Sequence, residues 1–259
     1  FGMDARCWTH LWNQVVTRPG IPQNTPSTMT DQPSLRILII GQGRMGSAVQ
    51  AVAAARGHEV VAVMGRDDVA ALDWPAADVA VEFTAPHSAK EVMAACRKRS
   101  LPLVSGTTGW DADRLEVELA TVEASHPLLW APNFSKGVYF FRKALSATAE
   151  AMKGHGGLTL SVHEVHHTGK RDAPSGTALA IADDVAAMGW DGVTVTAQRL
   201  AGVPGTHEVE WRSEMDSIRL VHSARNRSGF AQGAVEAAEW LAKYTGPCDN
   251  IFGMNDVWG

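Results

Sequence analysis

From residue 35 onward, short runs of β-branched and aliphatic residues alternate with longer Ala-rich stretches of helical period. Leu35–Ile40 (LRILII) is almost wholly apolar, the pattern of a strand buried on both faces of a parallel sheet. It predicts a strand, then a helix over Ala48–Arg56 stopped by Gly57, then a second strand over His58–Met64. The alternation goes on: strand at 78–84, helix at 88–99, strand at 101–105, helix at 111–124 with Asp111 as N-cap, strand at 127–131. A long helix is predicted over Val138–Lys153, closed by a Gly-His-Gly-Gly turn. The period then shortens to two. Leu158, Leu160 and Val162 share a face, and Glu164 and His166 continue it. Ser175 fits an N-cap for an Ala-rich helix over 178–188. Two antiparallel strands, HEVEWRS and SIRLVHSA, follow, joined near Glu214–Asp216, and a helix over 230–244 closes the pattern by returning to the first half.

The first strand runs directly into Gly41-Gln42-Gly43-Arg44-Met45-Gly46. Strand, G-x-G-x-x-G, helix and strand within about thirty residues make a dinucleotide-binding unit. Gly41 serves the tight turn, Gly43 the approach of backbone to a pyrophosphate, and Gly46 close helix–strand packing; the free N–H groups of the helix face the phosphates. The fold class is therefore α/β: a Rossmann-like dinucleotide-binding domain over 35–133, with 230–259 returning to it, plus a smaller α+β mixed-sheet domain over 134–229. The acidic position that closes the second strand in NAD-binding proteins reads here as Gly65, followed by Arg66. This points to NADPH, with NADH tolerated through Asp67; the competing reading of Arg66 is a solvated loop charge. Each later strand of the first half ends in small polar residues, Gly106-Thr107-Thr108-Gly109 and Pro132-Asn133, where a ligand crevice lies in an open sheet.

The chemistry concentrates at 163–177. His166, His167, Lys170, Arg171 and a helix N-terminus converge within twelve residues, a receptor for a small anion with more than one carboxylate. An imidazole there is placed as a general acid. No metal is expected: His163, His166 and His167 are candidate ligands, yet adjacent strand residues point to opposite faces, so His166 and His167 do not meet one ion. His163 also reads as a solvated strand-end residue, Cys96 as core packing, and Asp184 as a solvated helix face.

Charge narrows the class further. Lys plus Arg total 23 against 28 Asp plus Glu, a net charge of −5, so no basic excess calls for nucleic acid or a membrane surface. Three scattered cysteines fit neither a disulfide framework nor a Cys-rich zinc site, and suit a reduced cytoplasmic compartment. Residues 1–34 hold four prolines and no sustained periodicity, which predicts a disordered N-terminal extension; Met29 then reads as the natural start.

HEVHHTGKRDAPSGTA (163–178) resembles the signature E-x-H-H-x-x-K-x-D-A-P-S-G-T of the 4-hydroxy-tetrahydrodipicolinate (dihydrodipicolinate) reductase family. G-x-G-x-M-G at 41–46, GTTG at 106–109, APNFSKGV at 131–138, R-x-x-G-x-x-G-x-H-E-V at 199–209 and FAQGAVEAAEWL at 230–241 match the same family, so the resemblance runs over roughly 35–259. It implies reduction of a cyclic imine dicarboxylate by NAD(P)H on the route to lysine and diaminopimelate, in a homotetramer, with 134–229 as the substrate-binding and oligomerisation domain. Carried over, His166 is the proton donor and Lys170 its catalytic partner. His167, Gly176, Thr177 and Arg227 hold substrate. Gly41, Gln42, Gly43, Arg44, Met45, Gly46 and Arg66 bind the cofactor, with Gly106, Thr107, Thr108, Ala131, Pro132, Asn133 and Phe134 around its nicotinamide and ribose. The chain departs from the family in a shorter phosphate loop, in Gly65, and in a compact 188–207 segment. Two readings outside the family stay open: another NAD(P)-dependent dehydrogenase of aspartate-family metabolism, which would want a loop Cys nucleophile, and a non-catalytic nucleotide sensor.

Overall fold

Strands with no polar face need cover on both sides, and the first five obtain it. In the computed structural model β1 (Arg36–Ile40), β2 (Glu59–Met64), β3 (Val79–Glu82), β4 (Leu103–Ser105) and β5 (Leu128–Trp130) form one wholly parallel sheet in the order β2-β1-β3-β4-β5. Ile37 and Ile39 point to one face, into a core shared with α1 (Arg44–Ala55). Leu38 and Ile40 point to the other, against Val92, Met93 and Cys96 of α2 (Pro86–Lys98). Each such side chain, fully buried, contributes about 1.5–3 kcal/mol. Residues 33–259 are described, apart from Arg66, Leu72 and the side chain of Asp67. The expectations for the N-terminal extension and for Arg66 lie outside them.

After α3 (Arg114–Glu123) and β5 the chain enters α4 (Lys136–Met152), then β6 (Thr159–His166), α5 (Gly176–Ala187), β7 (Thr194–Arg199), β8 (Gly205–Arg212) and β9 (Ser217–Ala224). These strands form a second sheet in the order β7-β6-β8-β9, parallel only between β6 and β7. Along β6 burial alternates: Leu160, Val162, Glu164 and His166 are buried, and the residues between them are not. Leu160 and Val162 pack on Phe141 and Leu145 of α4, Ile181 and Val185 of α5, and Trp211. The chain then returns through α6 (Ser228–Leu241), whose Ala231, Ala234, Val235 and Ala238 complete the core of the first sheet, and ends with α7 (Met254–Trp258). Arg56 donates two hydrogen bonds of 2.8 Å to Glu239 of α6, pinning the returning helix to the end of α1.

Three local expectations change. Asp111 does not cap α3; a 3-10 turn over Asp111–Asp113 precedes that helix, with no side-chain cap. Asp184 is not a solvated face: its carboxylate accepts two hydrogen bonds from Arg142 of α4, at 2.6 and 2.7 Å. Strand β7 (TVTAQR) was absent from the hydrophobic pattern because it is an edge strand and mostly polar.

Candidate active site

The first sheet reverses its order between β1 and β3, the point at which open parallel sheets place a ligand crevice at the strands' carboxyl ends. Gly41 sits at φ +124° and a Cβ on it would lie 2.2 Å from the carbonyl oxygen of Phe83. A Cβ on Gly46 would lie 1.8 Å from the carbonyl oxygen of Gly41, so the helix meets the turn at a distance only hydrogen allows. Gly43, by contrast, faces open space and caps α1 with no side chain, leaving the first-turn N–H groups to a ligand. Gln42 lies along Gly65, and Met45 packs on the core beneath. This cradle fits the pyrophosphate of a dinucleotide.

Glu82, at the end of β3, organises the neighbouring loops. It is fully buried, and accepts from Thr84 N (2.6 Å), Thr84 Oγ1 (2.5 Å), Ser105 Oγ (2.6 Å) and Thr107 Oγ1 (2.5 Å). The carbonyl of Thr107 takes the indole N–H of both Trp110 and Trp130 at 2.8 Å. Gly106 is required because its Cβ would fall 2.0 Å from the ring of Phe83. Phe83 in turn stacks edge-on to Phe134, at 5.7 Å, and Phe134 and Ala131 are buried beneath the crevice. Of these segments Thr108, Pro132 and Asn133 reach a cavity of ≈ 530 Å³, which Gly176 and Thr177 line from the other side. Asn133 Nδ2 stands 3.5 Å from Thr177 Oγ1.

The carboxyl end of β6 brings the reactive groups in. Glu164 is buried, and its Oε1 accepts from Arg199 Nη2 and from the backbone N–H of Ser175, both at 2.9 Å. Those two donors hold its pKa below the usual carboxylate range although burial pushes it up. Its Oε2 lies 3.1 Å from His166 Nδ1 and 3.8 Å from His207 Nε2, without the alignment of a hydrogen bond to either. Burial lowers the pKa of His166, and Lys170 and Arg199 push the same way against the pull of Glu164. His207 is lowered to about 4, mainly by burial. Lys170 Nζ stands 2.9 Å from Asp172 Oδ2, which holds the Asp172 carboxyl below its ordinary value. Arg199 also donates to the carbonyls of Lys170 (3.3 Å) and Asp172, so one guanidinium ties Glu164 to the loop that carries Lys170. Ser175 caps α5 by accepting from Ala178 N at 3.2 Å, as expected.

One cavity of ≈ 840 Å³ joins these pieces. Arg44 of the glycine turn, Pro132, Asn133, His166, His167, Lys170, Thr177 and Arg227 all line it, with His207 and His222. Residues 35–134 match the family model of the dihydrodipicolinate reductase N-terminus, and 137–258 that of its C-terminus. The chain belongs to the dihydrodipicolinate reductase family. A relative in Christiangramia forsetii, named 4-hydroxy-tetrahydrodipicolinate reductase, is 35% identical over 86% of this chain and 97% of its own. A relative of the same name in Stenotrophomonas maltophilia is 38% identical over 82% of this chain and 93% of its own. In structure the chain is similar to the dipicolinate-bound dihydrodipicolinate reductase of Paenisporosarcina sp. TG-14, with a TM-score of 0.70 over 87% of this chain and 100% of that one, at 22% identity.

Within this family frame, the sequence reading missed Arg199, His207 and His222 as parts of the site. His207 stands directly opposite Glu164 across β6 and β8, and opposite His222 across β8 and β9. That row depends on strand register, which no local pattern states. The only signal was the match at 199–209, which contains both Arg199 and His207. Cys96 is buried, with its thiol pushed up to about 12 by burial, and Cys248 is buried and raised as well. Neither described cysteine serves as the nucleophile an aldehyde dehydrogenase would need.

Proposed function

We propose that the cavity from Arg44 to Lys170 is where this chain carries out its family's reaction, the NAD(P)H-dependent reduction of 4-hydroxy-tetrahydrodipicolinate to tetrahydrodipicolinate on the route to lysine and diaminopimelate. The observation that supports the assignment most directly is that a residue of the phosphate-binding turn lines the same space as His166 and Lys170. When bound, the reduced pyridine nucleotide supplies the hydride. Gly41, Gly43 and Gly46 with the start of α1 hold its phosphates, and Gly106–Thr108 and Ala131–Phe134 border its reactive end. Lys170, His167, Arg227 and the backbone of Gly176 and Thr177 hold the substrate carboxylates, which fixes the acceptor carbon relative to the hydride. His166 then delivers the proton that the reduced substrate needs.

The electrostatics suit an acid that arms on binding. In the free protein burial, with Lys170 and Arg199, outweighs the pull of Glu164 and disfavours the charged form of His166. A doubly anionic ligand beside it reverses that balance and favours the imidazolium. Glu164 steadies the charged form from behind, since Arg199 and Ser175 keep it ionised.

NADPH is the preferred cofactor in this reading, because Gly65 supplies no carboxylate for a ribose hydroxyl and Asp68 Oδ2 is taken up by the Gly65 N–H at 2.7 Å. A homotetramer is proposed with it. One face of the second sheet packs on α4 and α5, while Val221 on the other face is 54% exposed beside a Glu208–Arg219–Glu210 charge cluster. The cytoplasm is the proposed compartment, in line with two unbridged cysteines; no described helix is long and apolar enough to cross a membrane. The test follows NADPH absorbance after mixing the protein with aspartate semialdehyde, pyruvate and the synthase that condenses them. Oxidation that depends on all components is expected; its absence with either nucleotide contradicts the reading.

A further inference from the structure

The proton-delivering imidazole and the two donors behind it have a second capacity. Glu164, His166 and His207 are all buried, and one ligand atom from each lies within 4.8 Å of the other two. Arg199 and the Ser175 N–H occupy only Oε1 of the carboxylate, and Oε2 has no hydrogen-bond partner. His166 Nδ1, 3.1 Å away, has none either. Two unfilled atoms at contact distance leave room for a group that takes a lone pair from each, and the third, His207 Nε2, has only a 3.5 Å contact with Ser175 Oγ. Ligands at about 2.0–2.1 Å around one tetrahedral ion lie roughly 3.3–3.5 Å apart. The separations from Oε2, 3.1 Å to His166 and 3.8 Å to His207, bracket that spacing.

We infer that Glu164, His166 and His207 form a latent site for a borderline divalent cation, zinc or cobalt, and that filling it switches the protein off. Two imidazoles and one carboxylate are the donor set of a three-ligand zinc centre, with the fourth position open. Here the open side is the ≈ 840 Å³ cavity that His166 and His207 both line. The second shell is in place, because Arg199 and Ser175 orient the carboxylate from behind. Lys170 and Arg199 oppose a dication, so the affinity is set below that of a permanent structural site. His163, His166 and His167 do not meet one ion, because neighbouring strand residues face opposite ways. The pairing of Glu164 with His207 across β6 and β8 supplies a different imidazole, one that shares the buried face.

Inhibition follows from valence. A cation on Nδ1 takes the lone pair that must carry a proton for the ring to become an imidazolium, so His166 no longer delivers H⁺ through its other nitrogen. The binding half of this inference stands on the geometry alone; the inhibition half rests on the reductase reading.

The test titrates cobalt(II) chloride into the tag-free full chain and records its visible absorption, with zinc added afterwards as competitor. Wild type is expected to develop the intense bands of low-symmetry cobalt at one ion per chain, bleached by zinc. His207→Asn and Glu164→Gln are each expected to weaken binding by more than about 100-fold, since even outer-shell losses cost 10–100-fold. His163→Asn, on the opposite face of β6 and bonded to Thr196, should keep the bands. Thermal melts of each variant establish that a lost band is not a lost fold. No band in wild type, bands that survive in both His207→Asn and Glu164→Gln, or their loss in His163→Asn would overturn the site. Zinc that binds with this pattern and leaves turnover untouched would overturn the inhibition alone, whereas a protein that binds cobalt but never oxidises NADPH would fail the reductase reading instead.

Discussion

At the scale of single residues the account turns on what surrounds one imidazole. In the proposed reaction His166 must be protonated to act, and its pKa is lowered in the free protein, first by burial. Activity is therefore lost as pH rises through that pKa. The profile of kcat/KM, which reports the free enzyme, should break below the ordinary histidine value of about 6.5, and that of kcat should break higher because bound dianion raises it. Parallel profiles with one common break would contradict arming by substrate. Gly205 gives a second check. A Cβ there would lie 2.9 Å from His166 Nε2, so Gly205→Ala should push the ring aside and lower kcat at least about tenfold, while nucleotide KM stays near its wild-type value. Glu164 and His166 were readable as partners because a strand repeats every two residues. His207 was not, since its place is set by register with a strand forty residues earlier. Arg199 was hidden for a different reason: on a polar edge strand, nothing distinguishes a clamp from a solvated charge.

At the scale of elements, loops at strand ends are held by buried polar staples rather than by hydrophobic contact. Glu82 is the clearest, with its four short hydrogen bonds from Thr84, Ser105 and Thr107. Glu82→Ala would leave those donors unpaired in the interior. We expect it to cost about 2–4 kcal/mol in urea unfolding and to raise the KM for nucleotide through the loosened 106–108 loop. A variant with unchanged stability and KM would show that the loop is held elsewhere. Strand and helix identity in the first half was legible because the parallel sheet needs apolar residues on both faces, as Ile37 to Ile40 provide. The start of α1 at Arg44 was less so, because its first turn is the glycine motif itself. The role of Glu82 was illegible: a lone acidic residue in an apolar strand gives no sign of which hydroxyls will meet it.

At the scale of the whole molecule, buried neutral histidines set the acid limit. His126 is buried with both ring nitrogens unpartnered, and its pKa is lowered to about 4 by burial. His207 is lowered to the same value. Between pH 6.5 and 4 the unfolded chain binds protons that the folded one refuses, so stability falls as pH falls through that window. The melting temperature should drop on acidification from pH 7 to 5, and His126→Leu should reduce the drop. An unchanged acid dependence in that variant would locate the sensitivity in other groups.

The claim on which the rest depends is that the imidazole at 166 supplies the proton. It is tested most directly by steady-state turnover of His166→Asn beside wild type, with the substrate generated in the cuvette and NADPH varied. The account predicts a kcat lower by about 10²–10⁴ with the nucleotide KM within a few fold of wild type. A variant that turns over at a near-normal rate would contradict it.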